Sequence, residues 1–196
     1  LSGDARWIAT SGHHSDQVRL WNARTGVLAH EWVTEKSMLV SFTPDSQILI
    51  ISRGDEFDFW DINTLREVRR VPRDAVLLPG YIAFSPDQKM MALETAPGMI
   101  HLKEVTTGRT VAKLEDPSRD QATWMAFSPD GRRLVVAARY AFAIHIWDLG
   151  AIRARLKTMG LDWDWPEFAP AVEPTGSPAS IAPPPLKIQV ISAGGR

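Results

Sequence analysis

A four-residue turn sequence recurs along the chain at a nearly constant interval, and this repeat constrains the fold more than any other feature. Phe42-Thr43-Pro44-Asp45 returns as Phe84-Ser85-Pro86-Asp87 and as Phe127-Ser128-Pro129-Asp130, with the prolines 42 and 43 residues apart. Proline presets φ for a turn, and an Asp carboxylate can bind the backbone amide two residues further on. A period of this length indicates one supersecondary unit, copied along the chain and stacked on its neighbours.

A second landmark lies 16 to 18 residues after each turn proline or its counterpart. Trp21, Trp60 and Trp147 occupy it, whereas the third copy has Lys103 at this place. Between the landmarks are short segments rich in β-branched and aromatic residues, separated by Pro, Gly and Asp turns, which is the pattern of short strands. We count units of three, four, four and three strands, and we therefore predict an all-β fold.

The turn sequence, the Trp-Asp dipeptides and the period together resemble the WD40 repeat, in which each unit is one four-stranded blade of a β-propeller. The resemblance covers residues 1–148 and implies about three and a half blades, which is an incomplete ring. The Gly-His pair that the family has before the first strand is missing from every copy, so we expect blades held mainly by apolar packing. Six residues are predicted to be structural, as tryptophans between blades or aspartates of the turns: Trp21, Trp60, Trp147, Asp45, Asp87 and Asp130.

Propellers close with about 4 to 8 blades. We therefore expect this chain to be the C-terminal part of a larger propeller, whose missing blades come from the upstream chain or, as the alternative, from a second copy. Residues 149–160 are predicted to form an amphipathic C-terminal helix, because apolar residues recur at 149, 152, 156 and 159 and Gly160 suits a C-cap. Residues 161–196 are predicted to be a Pro-rich extended tail, since seven of the fourteen prolines lie between 166 and 185.

The helix, the segment Leu161-Asp162-Trp163-Asp164 and the Pro-rich ending together resemble something narrower. They are similar to the C-terminal end of WD40 segments in large bacterial multidomain proteins, where the propeller is often fused to a Ser/Thr protein kinase. This resemblance implies a role in signalling. None of the kinase sequence motifs occurs in the chain, so a kinase domain would have to lie upstream.

Composition and charge exclude several functions. The chain has 22 basic and 23 acidic residues, which is not the strongly basic balance of a non-specific nucleic-acid binder. It has no cysteine, which excludes disulfides, thiolate metal sites and cysteine nucleophiles. No apolar run approaches the length of about 18 residues that a membrane span needs. We predict no cofactor, no nucleic-acid partner, no membrane segment and a cytoplasmic location.

The sequence offers few candidates for chemistry. His13 and His14 are adjacent, and adjacent residues of a strand point to opposite faces, so they chelate a metal poorly even with Asp16 as a third ligand. The Gly-x-Ser-x-Gly elbow of hydrolases is absent from the sequence. The segments predicted to line the channel of the propeller carry mostly apolar residues and serine. We therefore predict that the chain is not an enzyme.

The loops that join blades are the predicted docking surface, since binding residues concentrate on loops held by a rigid scaffold. The loop of residues 72–80 is long and apolar, and either forms an interface or tucks under the neighbouring blade. Five residues are the predicted partner contacts: Arg73, Val76, Leu77, Leu78 and Arg119. The predicted function is a non-enzymatic scaffold that docks a protein or peptide on the propeller rim. The alternatives are a regulatory or substrate-recruiting segment of a bacterial Ser/Thr protein kinase and a propeller-borne hydrolase.

Overall fold

The computed structural model describes residues 1–12, 16–33, 39–74 and 78–168. These residues form fourteen strands and one helix: β1 Trp7–Ser11, β2 Gln17–Asn22, β3 Leu28–Val33, β4 Leu39–Phe42, β5 Ile48–Ser52, β6 Glu56–Asp61, β7 Arg66–Pro72, β8 Ile82–Phe84, β9 Met90–Ala96, β10 Met99–Glu104, β11 Thr110–Glu115, β12 Ala122–Phe127, β13 Arg133–Ala138, β14 Ile144–Asp148 and α1 Leu149–Thr158.

The strands form four antiparallel sheets that follow one another along the sequence. The first sheet contains β1–β3, the second β4–β7, the third β8–β11 and the fourth β12–β14. In each sheet, strands that are consecutive in sequence are hydrogen-bonded neighbours, and in the described residues no sheet closes into a barrel. The all-β prediction is confirmed, and the strands fall into the groups of three, four, four and three that the sequence indicated.

The first turn of the second, third and fourth sheets is built in the same way each time. In the second sheet, the Thr43 hydroxyl donates to Asp45 at 2.6 Å, and the amide of Gln47 donates to the same Asp45 oxygen at 3.0 Å. The Ser85 and Ser128 hydroxyls donate to Asp87 at 2.6 Å and to Asp130 at 2.5 Å. These bonds fix the turn that connects the first two strands, so each copy of the sequence repeat places its sheet in the same local geometry.

The core consists of three apolar clusters, one between each pair of consecutive sheets. Alternate residues of one strand point to opposite faces. Leu49 therefore belongs to the cluster between the first and second sheets, and Ile50 belongs to the cluster between the second and third sheets. In the third sheet, Met91 likewise packs toward the second sheet and Ala92 toward the fourth sheet. Both faces of the middle sheets are therefore buried, which explains why β5 and β9 are nearly continuous apolar runs.

Helix α1 begins at Leu149, and the preceding residue Asp148 is its N-cap, whose carboxylate accepts a hydrogen bond from the amide of Ala151 at 2.8 Å. The helix ends near Gly160, which adopts a left-handed φ of +69° after the C-cap Met159. Its buried side differs from the predicted apolar stripe, because Arg153 is buried whereas Met159 is exposed.

The segment after α1 turns back against the sheets. The Arg153 guanidinium donates to Asp162 at 2.9 Å and to the carbonyl oxygen of Pro166 at 2.5 Å. Trp163, Trp165 and Phe168 pack against the cluster between the third and fourth sheets. Residues 161–168 of the predicted tail therefore pack against the sheets through these three aromatic side chains, and residues 169–196 lie outside the described part of the chain.

Candidate interaction site

Arg73, predicted from the sequence to contact a partner, lies inside the molecule, and its side chain has no exposed surface. Its guanidinium donates to the carbonyl oxygens of Arg53 at 2.7 Å, Leu78 at 3.0 Å and Glu94 at 2.8 Å. The prediction for this residue is wrong because three backbone segments present carbonyl oxygens toward one point. A planar guanidinium with five donors can bind all three segments at once.

Glu94 extends this contact to the fourth sheet. One carboxylate oxygen accepts a hydrogen bond from the amide of Ala122 at 2.7 Å, and the other lies 3.7 Å from Nη2 of Arg73. Burial raises the pKa of Glu94 to about 7, although the Ala122 amide and the charge of Arg73 act to lower it. Arg73 and Glu94 together connect the second, third and fourth sheets, so their role is structural.

The other predicted partner contacts have different positions. Val76 and Leu77 lie outside the described residues. Leu78 is half-buried, and its carbonyl oxygen accepts a hydrogen bond from the Arg73 guanidinium. Arg119 is exposed, in the loop between the third and fourth sheets. Of the five residues, Arg119 is the one that the structure places on an exposed surface.

Beside Arg119, the loop between β13 and β14 presents two aromatic side chains to solvent. Tyr140 is 71% exposed and Phe142 is 94% exposed. Arg139 is also exposed, and its guanidinium lies 5.8 Å from the centre of the Tyr140 ring. We call Arg119, Arg139, Tyr140 and Phe142 the rim site. Sequence analysis did not single out the two aromatics, because the run of apolar residues from Tyr140 to Trp147 does not show where β14 begins, and the structure begins it at Ile144.

Asp120 holds the two loops of the rim site together. Its carboxylate accepts hydrogen bonds from the amides of Tyr140 at 3.0 Å and Ala141 at 2.7 Å. Burial acts to raise the pKa of Asp120, but these amides keep it below the usual range. The carboxylate is therefore charged at neutral pH, which strengthens both bonds.

The backbone of the rim site is in an uncommon conformation. Arg119 has a φ of +52° and Phe142 a φ of +49°, a left-handed region that costs a residue with a Cβ roughly 1–2 kcal/mol. Gly98 lies so close to this loop that an added Cβ would be 2.6 Å from the Cα of Arg119. This close packing holds the turn at Arg119 in one conformation.

Beneath the rim site lies a small cavity lined by acidic side chains and a histidine. His145 is 3.1 Å from Asp116, and the Asp116 carboxylate also accepts a hydrogen bond from the amide of Ser118 at 3.0 Å. The cavity has a volume of about 10 Å³, which is the space of one water molecule.

In the part of the chain that the structure describes, no group of three or more His, Asp or Glu side chains could hold a metal ion. His13 and His14 lie outside that part, and Asp16, which lies inside it, is exposed. Within the same described ranges, no helix is long and apolar enough to span a bilayer.

The three tryptophans of the repeat have unequal surroundings. Trp60 packs between the first and second sheets, with its ring 5.5 Å from that of Trp32. Trp147 packs against the cluster between the third and fourth sheets. Trp21 lies on the face of the first sheet that no other described sheet covers, and its indole N–H donates to Thr10 at 3.1 Å. For Trp21 the predicted place between two sheets stays a prediction.

Comparison with known proteins gives a likeness of fold. No family model matches the chain, and no curated protein matches its sequence. Among solved structures, Kuenenia stuttgartiensis Hydrazine Synthase is similar at a TM-score of 0.63 and 20% sequence identity. The match covers 77% of this chain and 45% of the synthase chain, so this chain spans less than half of that protein's length. Since 1166 chains of solved structures match, the likeness identifies an architecture and not an activity.

Proposed function

We propose that this chain is a non-enzymatic interaction module of WD40 repeats, which docks a protein or peptide at the rim site. The turn sequence with its hydroxyl–aspartate bond, the tryptophan that follows it and four consecutive antiparallel sheets support a β-propeller of this kind. The observation that carries the docking function is the pair of exposed aromatics, Tyr140 and Phe142, on loops that are already fixed.

The rim site has the residue types that carry binding energy in protein interfaces, since tyrosine, phenylalanine and arginine are enriched there. A buried aromatic side chain removes about 150–250 Å² from water, so covering Phe142 contributes on the order of 4–6 kcal/mol before the costs of association. The loops are held by Asp120, so a partner does not have to order them first. Little conformational entropy is then lost on binding.

The charges of the rim site indicate the chemistry of the partner. Arg119 and Arg139 are the exposed cations of the rim site, and the Asp120 carboxylate accepts hydrogen bonds from backbone amides. A segment that binds here presents an apolar or aromatic side chain to Phe142 and a carboxylate to the arginines. Such complementarity mainly sets the rate of association and the choice of partner.

Selection from a displayed library of random peptides tests this proposal, with the full chain as bait. Enriched peptides are expected to combine Asp or Glu with an apolar residue. The double variant Tyr140→Ser, Phe142→Ser is expected to bind them about ten-fold more weakly or worse. Val27→Ser, Val68→Ser is the matched control, because both residues are exposed apolar positions away from the rim site. Equal binding by both double variants, or no enrichment at all, refutes the rim site as a docking surface.

A further inference from the structure

Residues 165–168, which fold back after α1, leave a groove against two turns of the repeat. One turn connects β8 with β9, and the other connects β12 with β13. The groove has a volume of about 400 Å³, within the range of about 300–1,000 Å³ that is usual for ligand pockets. We call it the turn groove and define it by six of its lining residues: Pro86, Asp87, Pro129, Asp130, Trp165 and Phe168.

The turn groove is open because the two turns lack a side chain that bridges them. At the junction of the first and second sheets, Ser46 supplies that bridge, since it is buried and its hydroxyl accepts a hydrogen bond from the amide of Asp4 at 3.1 Å. Gly131 occupies the equivalent position in the turn of the fourth sheet. A Cβ added there would lie 3.6 Å from Cδ of Pro86, in ordinary contact. The space that a side chain fills between the first two sheets is therefore not filled by residue 131.

The walls of the turn groove are apolar and partly aromatic. Pro86 and Pro129 contribute from the turns, and Trp165 and Phe168 contribute from the segment after α1. The buried side chain of Met90 also lines the groove. Surfaces of this kind hold an aliphatic stem or a flat conjugated group by burial and stacking. A ligand of the turn groove therefore has an organic, partly apolar body.

The charged groups of the turn groove are acidic. Asp87, Asp130 and Glu167 line it, and among the described residues no lysine, arginine or histidine does. Glu167 forms an ion pair with Lys157, so its charge is already balanced. The two turn aspartates therefore remain as the acceptors for a cationic ligand.

Each turn aspartate has one oxygen that the turn does not use. Oδ1 of Asp87 accepts hydrogen bonds from the Ser85 hydroxyl at 2.6 Å and from the amide of Lys89 at 3.1 Å. Oδ1 of Asp130 accepts the same two bonds in its own turn, at 2.5 Å and 3.0 Å. In the described part of the chain, no hydrogen bond is donated to Oδ2 of either residue. The Ser128 hydroxyl keeps the pKa of Asp130 below its usual range, so this carboxylate is charged at neutral pH.

The segment after α1 already binds one arginine of its own chain with the same kinds of group. The Arg153 guanidinium donates to Asp162 at 2.9 Å. It also lies 5.6 Å from the centre of the Phe168 ring and 6.0 Å from the centre of the Trp163 ring. A carboxylate beside aromatic rings is therefore a combination that holds a guanidinium in this part of the molecule.

We propose that the turn groove binds an arginine side chain from a peptide segment of a partner protein. The guanidinium donates to Oδ2 of Asp87 and to Oδ2 of Asp130, and the stem packs against Trp165 and the turn prolines. Arginine is the cation that fits best, because a planar guanidinium stacks on an aromatic ring and binds two acceptors at once. The turn groove lies at the opposite end of β12 from the rim site, so this segment differs from the acidic segment proposed there.

Titration of the full chain with the peptide acetyl-Ala-Arg-Ala-amide tests this site, followed by fluorine NMR of 5-fluorotryptophan. Trp165 lies in the wall of the groove, and Trp165→Phe identifies its signal among those of the eight tryptophans. The Trp165 signal is expected to shift and to saturate. The same peptide with citrulline, which has the shape of arginine without its charge, is expected to bind at least about ten-fold more weakly.

Substitutions in the turns separate charge from fold. The double variant Asp87→Asn, Asp130→Asn keeps an oxygen that can accept the turn bonds and removes both charges, so it should bind the arginine peptide at least about ten-fold more weakly. Asp45→Asn is the matched control, because Asp45 makes the same turn bonds in the second sheet and does not line the groove. It should bind as the wild type does, and so should Tyr140→Ser, Phe142→Ser of the rim site.

Three results overturn the proposal. The first is a Trp165 signal that does not move at millimolar concentrations of the arginine peptide, which is also the result expected if residues 169–196 fill the groove. The second is equal affinity for the citrulline peptide, a comparison made on the wild type and therefore independent of how any variant folds. The third is wild-type affinity in the double variant Asp87→Asn, Asp130→Asn, with a cooperative urea transition that shows it to be folded.

Discussion

Replacing Arg73 with methionine is expected to lower the free energy of unfolding by about 4 kcal/mol or more. The change leaves the carbonyl oxygens of Arg53, Leu78 and Glu94 buried without their donor. Each unsatisfied group costs about 1–3 kcal/mol, and removing one partner of a buried ion pair costs about 3–5 kcal/mol. These costs are not additive, because a neighbouring group can shift to fill part of the space. The sum is still a large part of the 5–15 kcal/mol that a domain typically has.

Two further substitutions show which property of Arg73 stabilises the fold. One separates the effect of the guanidinium geometry from that of its charge, and the other measures the effect of removing an exposed arginine. Arg73→Lys keeps the charge but loses the planar set of donors, so about half of the destabilisation should remain. Arg139→Met removes an exposed arginine and should stay within about 0.5 kcal/mol of the wild type. The loss in Arg73→Met should be larger at about pH 8 than at about pH 6, because Glu94 is then ionised without its cation.

Urea unfolding followed by tryptophan fluorescence, at one protein concentration, measures these differences. The slope of the transition must be equal among the variants, so that a shift of the midpoint reports stability. A double-mutant cycle with Glu94→Gln then gives the coupling between the two side chains. If Arg73→Met loses less than about 1 kcal/mol, or no more than Arg139→Met, the guanidinium does not hold the sheets together.

Three further experiments test separate parts of the structure. Burial raises the pKa of Glu94 from 4.5 to about 7, so between these two pH values the folded state keeps a proton that the unfolded state releases. The free energy of unfolding is therefore expected to fall by about 3 kcal/mol as pH rises through this window. Glu94→Gln should lack this fall, and a variant with an unchanged pH profile contradicts the assignment. Trp147→Ala should cost about 3–5 kcal/mol in urea unfolding, since the Trp147 ring packs against the cluster between the third and fourth sheets; a loss below about 1 kcal/mol refutes this packing. Gly98→Ala should lower the free energy of unfolding more than Gly26→Ala. A Cβ at residue 98 would lie 2.6 Å from a backbone atom, whereas a Cβ at residue 26 would have no atom within 4 Å. Equal midpoints of urea unfolding for the two variants argue against the close approach at Gly98.

The strands and their grouping were predictable because their signals are local. A turn needs a proline, a hydroxyl and an aspartate within four residues, and Ser85 and Asp87 supply that chemistry wherever the rest of the chain lies. Alternation along a strand, as in Val18 and Leu20, is equally local. The start and end of α1 followed from local signals too, within two residues of the predicted bounds.

The positions of the site residues were not predictable, because they depend on segments far apart in sequence. Arg73 is a charged residue in a predicted loop, and such residues are mostly exposed. Its burial follows from carbonyl oxygens 20 and 21 residues away, at Arg53 and Glu94. Tyr140 is held by Asp120, also 20 residues away.

The repeat determines how the strands are arranged, and the loops whose sequences differ between copies carry the candidate binding residues. Arg73 and Asp116 occupy equivalent places after β7 and β11, and the amide of each donates at 2.7 Å to the turn of its own sheet, at Asp55 and Gly98. The position after β7 therefore carries the buried cation Arg73, and the equivalent position after β11 carries the carboxylate of Asp116, which contacts His145. Because each junction is fixed by a different polar side chain, the loops above the junctions differ as well. The proposed partner of the rim site therefore contacts residues that the repeat does not share, such as Tyr140 and Phe142.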